Sequence, residues 1–162
     1  IGLSGDIIKV TDGVISVNGK DVRREPIENF VHLVSPNSPC FRSEFEAINN
    51  QQQKICRYPQ FRETLPNGVS YNILDIYEGS EGDTTEPFVV PEGHMFLMGD
   101  NRDRSADSRF PAQEGGAIGI VPQENLVGEA LVMVFSTDGS VAWLKPWTWF
   151  SAARWERIGE GF

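Results

Sequence analysis

The chain has 162 residues, 40% hydrophobic and 23% charged, proportions that fit one medium domain or a core carrying a smaller insertion. Its net charge of −9 leaves no basic stripe to neutralise phosphates. That excludes nucleic acid as a partner and weakens any general electrostatic hold on anionic lipid.

The 16 Gly and 10 Pro, scattered among short apolar runs, predict strands joined by turns. Residues 1–22 read as two or three short strands. Gly5-Asp6 and Asp12-Gly13 are turn signals, and Val14-Ile15-Ser16-Val17 followed by Asn18-Gly19 makes a hairpin. Residues 23–37 are mixed and charged and run into the loop Ser35-Pro36-Asn37-Ser38-Pro39. Residues 41–56 are polar, with an amide-rich run at 49–53, and a short helix is expected over 43–54. Residues 61–65 lead into the turn Pro66-Asn67-Gly68, and 69–77 reads as a strand. Residues 79–87 form an acidic, Gly/Thr-rich connection expected to be mobile. Strands at 88–90 and 94–98 flank the turn Pro91-Glu92-Gly93. After a charged segment at 99–109 and a Gly-rich loop at 110–119, late strands are expected at 120–121, 126–135 and 141–144. One or two helical turns follow at 152–158. No internal repeat is visible, and the turns are too frequent for a parallel α/β fold, so the fold class is mainly β.

No uncharged apolar stretch approaches the roughly 18 residues needed to span a bilayer. The chain opens at Ile1 without Met, inside sequence that reads as structured, so an N-terminal portion is expected to precede it. Cys40 and Cys56 have no CxxC or Cys/His spacing that would imply a metal site. In a reducing compartment they are two unrelated thiols. In an oxidising one they can pair, closing a loop for which chain entropy gives roughly 3 kcal/mol.

The segment Gly99-Asp100-Asn101-Arg102-Asp103-Arg104-Ser105-Ala106-Asp107-Ser108-Arg109 carries the chemistry. Six of its eleven residues are ionisable, and they follow an apolar strand directly. A solvated loop also has such a composition, and an exposed Asp107–Arg109 pair would be worth only about 0–1 kcal/mol. A calcium loop is excluded because Arg102 and Arg104 fall on ligand positions. A phosphate-binding loop is excluded because the repeated glycines and the Lys are missing. A triad of Ser105, His94 and Asp100 can be drawn, but neither serine sits in a nucleophile elbow, so His94 is read as a strand residue and the triad is set aside.

The segment fits Gly-Asp-Asn-Arg-Asp-x-Ser-x-Asp-Ser-Arg, the signature block of bacterial type I signal peptidases, and on it the chain resembles that serine/lysine-dyad family. Ile1-Gly2-Leu3-Ser4-Gly5-Asp6 is similar to the family's Ile-Gly-Leu-Pro-Gly-Asp block, with Ser4 in place of Pro. Val121-Pro122-Gln123-Glu124-Asn125-Leu126-Val127-Gly128 resembles the block after the signature. Ala153-Arg154-Trp155-Glu156-Arg157-Ile158-Gly159 resembles the C-terminal Arg-Ile-Gly. The middle, around Glu63-Thr64-Leu65-Pro66-Asn67-Gly68, looks most like alphaproteobacterial members.

The resemblance implies coiled antiparallel β-sheets with little helix. Residues 1–6 and 91–162 would form an incomplete catalytic core, with 7–90 as an inserted non-catalytic β-rich domain. It implies a membrane-bound endopeptidase that removes signal peptides from exported preproteins, facing the periplasm from the cytoplasmic membrane. No cofactor or metal is implied. The family's nucleophilic Ser lies in a Ser-x-Met-x-Pro block and its base Lys in Lys-Arg-Val-Ile-Gly. Both would fall upstream of Ile1, and Lys9, Lys20, Lys54 and Lys145 do not occupy the base's position, so this chain alone is expected to be inactive. Ser105 matches the serine that orients the lysine amine. Asp107 matches the carboxylate that pairs with Arg109, and Asp100 the one that pairs with the arginine after the lysine. Gly99 matches the small residue that lets the strand pass close to the lysine. Trp147, Trp149, Phe150 and Trp155 suit either the bilayer interface or ordinary β-core packing. A plasmid-transfer maturation peptidase of the same superfamily and a non-catalytic β-module that binds polypeptide are the competing readings.

Overall fold

The computed structural model describes every residue except Asn37, Glu129, Trp143, Glu160 and Phe162. Asn37 of the expected 35–39 loop, Glu129 of the expected 126–135 strand and Trp143 of the expected 141–144 strand therefore lie outside the described residues. In chain order the strands are β1 (Ile7–Thr11), β2 (Val14–Val17), β3 (Lys20–Asp21), β4 (Arg23–Leu33), β5 (Glu46–Ile48), β6 (Lys54–Thr64), β7 (Ser70–Leu74), β8 (Phe88–Val89), β9 (His94–Met95) and β10 (Val121–Pro122). The one α-helix among the described residues is α1 (Trp147–Ala152). The fold is mainly β, as composition and turn spacing predict. No described helix is long and apolar enough to cross a membrane. The chain divides into two compact units, Ile1–Phe30 with Tyr58–Leu126 and Val31–Arg57 with Val127–Phe162.

In the first unit an antiparallel sheet has the order β3-β2-β1-β8. The turns that fold it are two Asx-Gly pairs with positive φ at both residues, 48° and 75° at Asp12-Gly13 and 52° and 77° at Asn18-Gly19. That is the backbone that matches strand twist in a two-residue hairpin. Along β1, Ile8 and Val10 are buried while Ile7, Lys9 and Thr11 face solvent. They pack with Ile15, Val22, Val90 and Phe96 into one core, with the Phe88 and Phe96 rings 5.0 Å apart. The 79–87 connection, expected to be mobile, is tied to this sheet. The Val10 and Asp12 amides donate to Thr85 Oγ1 and Thr84 Oγ1, and Gly13 N donates to the Asp83 carbonyl.

Two further pairings set the stage for the charged segment. Gly2 exchanges both backbone hydrogen bonds with Phe96, at 2.7 and 2.9 Å, so the first residues run antiparallel to the strand before Gly99. The end of β7 lies parallel to the segment itself, with Leu74 N donating to the Asp100 carbonyl and Arg102 N to the Leu74 carbonyl.

Of the other two sheets, one pairs β10 with β9 and the other has the order β4-β6-β5, with β7 also on β6. The mixed stretch 23–33 is a single long strand, its Pro26 tolerated because β4 is an edge. The second unit corrects the helix expected at 43–54. Only Ser43–Phe45 makes a 3-10 turn, and β5 and β6 then form a hairpin. Asn49 explains the difference: its Oδ1 accepts from the Gln51 and Gln53 amides and its Nδ2 reaches Gln53 Oε1, closing a turn with Gln52 at φ 61°. Local amide bonding outcompetes a helical ladder. The Cys40 and Cys56 sulfurs are bonded, with Cα atoms 5.5 Å apart.

The strands expected at 126–135 and 141–144 also require correction. No strand forms there among the described residues, and only single bridges join Val132 to Gly161 and Thr137 to Ala153. Part of the tail is coiled into α1 and a 3-10 turn at Trp155–Arg157, so it offers no extended row of donors and acceptors for a ladder.

Candidate active-site scaffold

The signature segment folds back on itself through buried ionic contacts. Asp107 and Arg109, each almost fully buried, form a two-pronged pair: Nε to Oδ1 at 2.9 Å and Nη2 to Oδ2 at 3.0 Å. Asp107 Oδ2 also accepts from Gly99 N at 2.9 Å, and Arg109 Nη2 donates to the Arg102 carbonyl. The next serine, Ser108, accepts from Leu97 N and donates to the Gly119 carbonyl, stitching the segment to the 110–119 loop.

Ser105 is partly buried and donates to the Asn101 carbonyl at 2.7 Å. Its side chain lies against Gly99 so closely that a Cβ there would overlap Ser105 Oγ and approach Ser105 Cβ to 2.5 Å. Only glycine permits this approach. Gly99, Ser105, Asp107 and Arg109 are thus brought together. Asp100 is not part of the network: it is exposed, and its Oδ1 accepts from the Asn101 amide. His94 Nδ1 sits 2.8 Å from the Glu92 carbonyl, in keeping with its reading as a strand residue.

Sequence reasoning missed the partner of Arg102. Glu63, on β6, meets its guanidinium with two bonds of 2.8 and 2.5 Å, at side-chain exposures of 1% and 5%. Arg102 Nε also donates to the Gly99 carbonyl at 3.2 Å. The nearby Tyr71 phenol is pushed up to about 12 by burial first, then by the Glu63 charge. No spacing rule links residue 63 to residue 102. Asp103 was also missed; its Oδ2 accepts from the Ile76 and Tyr77 amides, fastening the segment to the end of β7.

The arrangement is a β-scaffold that presents one hydroxyl beside a glycine, braced by two buried ion pairs. Residues 1–135 match the family described as signal peptidase, peptidase S26, and the chain belongs to that family. It is 33% identical to proteins named signal peptidase I from Rickettsia typhi and Rickettsia conorii, over 91% of this chain and 52% of each relative. It is 32% identical to the protein of the same name from Rickettsia bellii, over 98% of this chain and 51% of that protein. The chain therefore spans about half the length of these relatives. No solved structure matches it at a significant level.

Proposed function

We propose that this chain is the extracytoplasmic part of a signal peptidase I, a serine endopeptidase that cuts signal peptides from preproteins. Its nucleophilic serine and base lysine are supplied by polypeptide upstream of Ile1. In this reading residues 1–6 and 91–162 form the catalytic core and 7–90 are an insertion. Ser105 orients the lysine amine, Gly99 gives that amine room, and Asp107 with Arg109 holds both in place. Asp100 is free to meet the arginine that follows the lysine.

The observation that carries the reading is the register at Gly2. Gly2 faces Phe96, so each residue upstream pairs with one further downstream. Continued upstream past Ile1, that register would set the arginine of Lys-Arg-Val-Ile-Gly opposite Gly99 and its lysine opposite Asp100, the two residues that lead into the turn seating Ser105. A lysine base needs an amine that is neutral near neutral pH, and burial lowers the pKa of a lysine in that direction. The Cys40–Cys56 bond fits an oxidising compartment. Trp147, Trp149, Phe150 and Trp155 are all exposed, which favours the bilayer interface over core packing for these rings.

The test is preprotein cleavage by the full-length protein and by this chain alone. The chain alone is expected to release no signal peptide. Ser105→Ala in the full-length protein is expected to lower the rate at least 100-fold with the circular dichroism spectrum unchanged. Turnover by the isolated chain, or a near wild-type rate for Ser105→Ala, would overturn the proposal.

A further inference from the structure

We infer that Glu63, acting through Arg102, is a positioning residue for the serine/lysine reaction: it fixes the Gly99 carbonyl, and with it the backbone on which Ser105 is seated. The inference rests on the function proposed above. The path is short and buried. Glu63 grips both terminal nitrogens of Arg102, which leaves Nε to bind the Gly99 carbonyl. Asp107 holds the other side of the same glycine through its N–H. Arg109, paired with Asp107, closes the ring on the Arg102 carbonyl. Gly99 is thus clamped at both polar groups, one clamp local to the segment and one reaching 39 residues back to β6.

Charge gives Glu63 a second effect. In the proposed reading the lysine amine lies at the edge beside Gly99, which Arg102 contacts and Glu63 backs, so the two charges act on it in opposite senses. Removing the carboxylate while keeping the guanidinium leaves the positive charge unbalanced. An amine at this edge then loses its proton more readily. A brace that only maintained the fold would not move the acid limb of a pH–rate profile.

The experiment compares wild type, Glu63→Gln, Glu63→Asp and Ser105→Ala in the full-length protein, with steady-state cleavage of a preprotein from pH 5 to 10. Glu63→Gln is expected to lower kcat about tenfold with KM little changed, because Gly99 is misplaced in the transition state rather than in substrate binding. It should also move the acid limb to lower pH. Glu63→Asp, which keeps the charge, should leave that limb where it is. The ultraviolet titration of Tyr71 should fall below about 12 in Glu63→Gln, reporting the lost charge without any appeal to activity. If Glu63→Gln does not fold, Glu63→Leu with Arg102→Met replaces the pair by apolar groups that preserve packing. The double variant should still lose about tenfold, since the Gly99 carbonyl then has no donor. A folded Glu63 variant with unchanged kcat and pH profile, beside an inactive Ser105→Ala, overturns this inference alone. Full activity in Ser105→Ala overturns the function on which it rests.

Discussion

Asp107 shows how much of the scaffold depends on single side chains. Its carboxylate accepts from Arg109 Nε and Nη2, from the Arg109 amide and from the Gly99 amide. Burial makes these bonds matter: the side-chain exposures of Arg109 and Asp107 are 1% and 5%, so water cannot replace either partner. Asp107→Asn keeps the shape and removes the charge, leaving a buried guanidinium without its counter-ion. The expected cost is about 3–5 kcal/mol, read as a fall in ΔG from urea unfolding. A loss under about 1 kcal/mol, the range of exposed pairs, would mean that Arg109 finds solvent in the folded state. The contiguous part of this network was legible in the sequence because Gly99, Ser105, Asp107 and Arg109 lie within eleven residues. Glu63 was not, because an ion pair between distant strands leaves no periodic trace. Only the sheet brings residue 63 to residue 102.

Elements were legible where their turns are dictated by backbone sterics and illegible where a side chain intervenes. The β1–β2 and β2–β3 hairpins announce themselves through Asp12-Gly13 and Asn18-Gly19, since few other pairs accept positive φ twice. The β5–β6 hairpin does not, because Asn49 closes it with side-chain amide bonds that a polar run from 49 to 53 can equally well leave unmade. The long stretch 23–33 hid as a strand because both its faces are largely exposed and its apolar residues Ile27, Phe30, Val31 and Leu33 fall on both of them.

The Asn18 turn also carries a pH-dependent tie. Asp6 accepts from Leu3 N at 2.9 Å and from Asn18 Nδ2 at 2.8 Å, while Asn18 Oδ1 accepts from Ile7 N. The Leu3 amide, and after it the Asn18 amide, hold the Asp6 carboxyl below its ordinary 3.8. A carboxyl whose folded value is depressed adds stability above its unfolded value and loses it as pH falls through the folded value. Asp6→Asn should therefore flatten the acid limb of the stability curve below pH 3.8, as followed by circular dichroism in urea. An unchanged limb would show that this carboxyl is equally free in the folded and unfolded chains.

At the scale of the whole molecule, the second unit relies on a covalent link where the first relies on packing. The first unit has an apolar core of Ile8, Val10, Ile15, Val22, Val90 and Phe96. In the second, Leu131, Val134, Phe135, Leu144, Trp147, Phe150 and Trp155 are exposed, and among the described residues the buried apolar ones are few: Ile55, Cys56 and Ala152. The Cys40–Cys56 bond spans 16 residues, a loop for which restricting the unfolded chain contributes about 3 kcal/mol. Reduction, or Cys40→Ala with Cys56→Ala, should lower stability by about that amount, which at a urea dependence near 2 kcal/mol/M is a midpoint shift of about 1.5 M. Adding reductant to the double variant should change nothing further. Hydrogen exchange should rise chiefly in Val31–Arg57, where the bond anchors the start of β6, while the β1–β2 amides of the first unit keep their protection. Equal acceleration in both units would mean that the bond stabilises the chain as one cooperative body, and an unmoved midpoint would mean that the native hairpin already confines this loop without it.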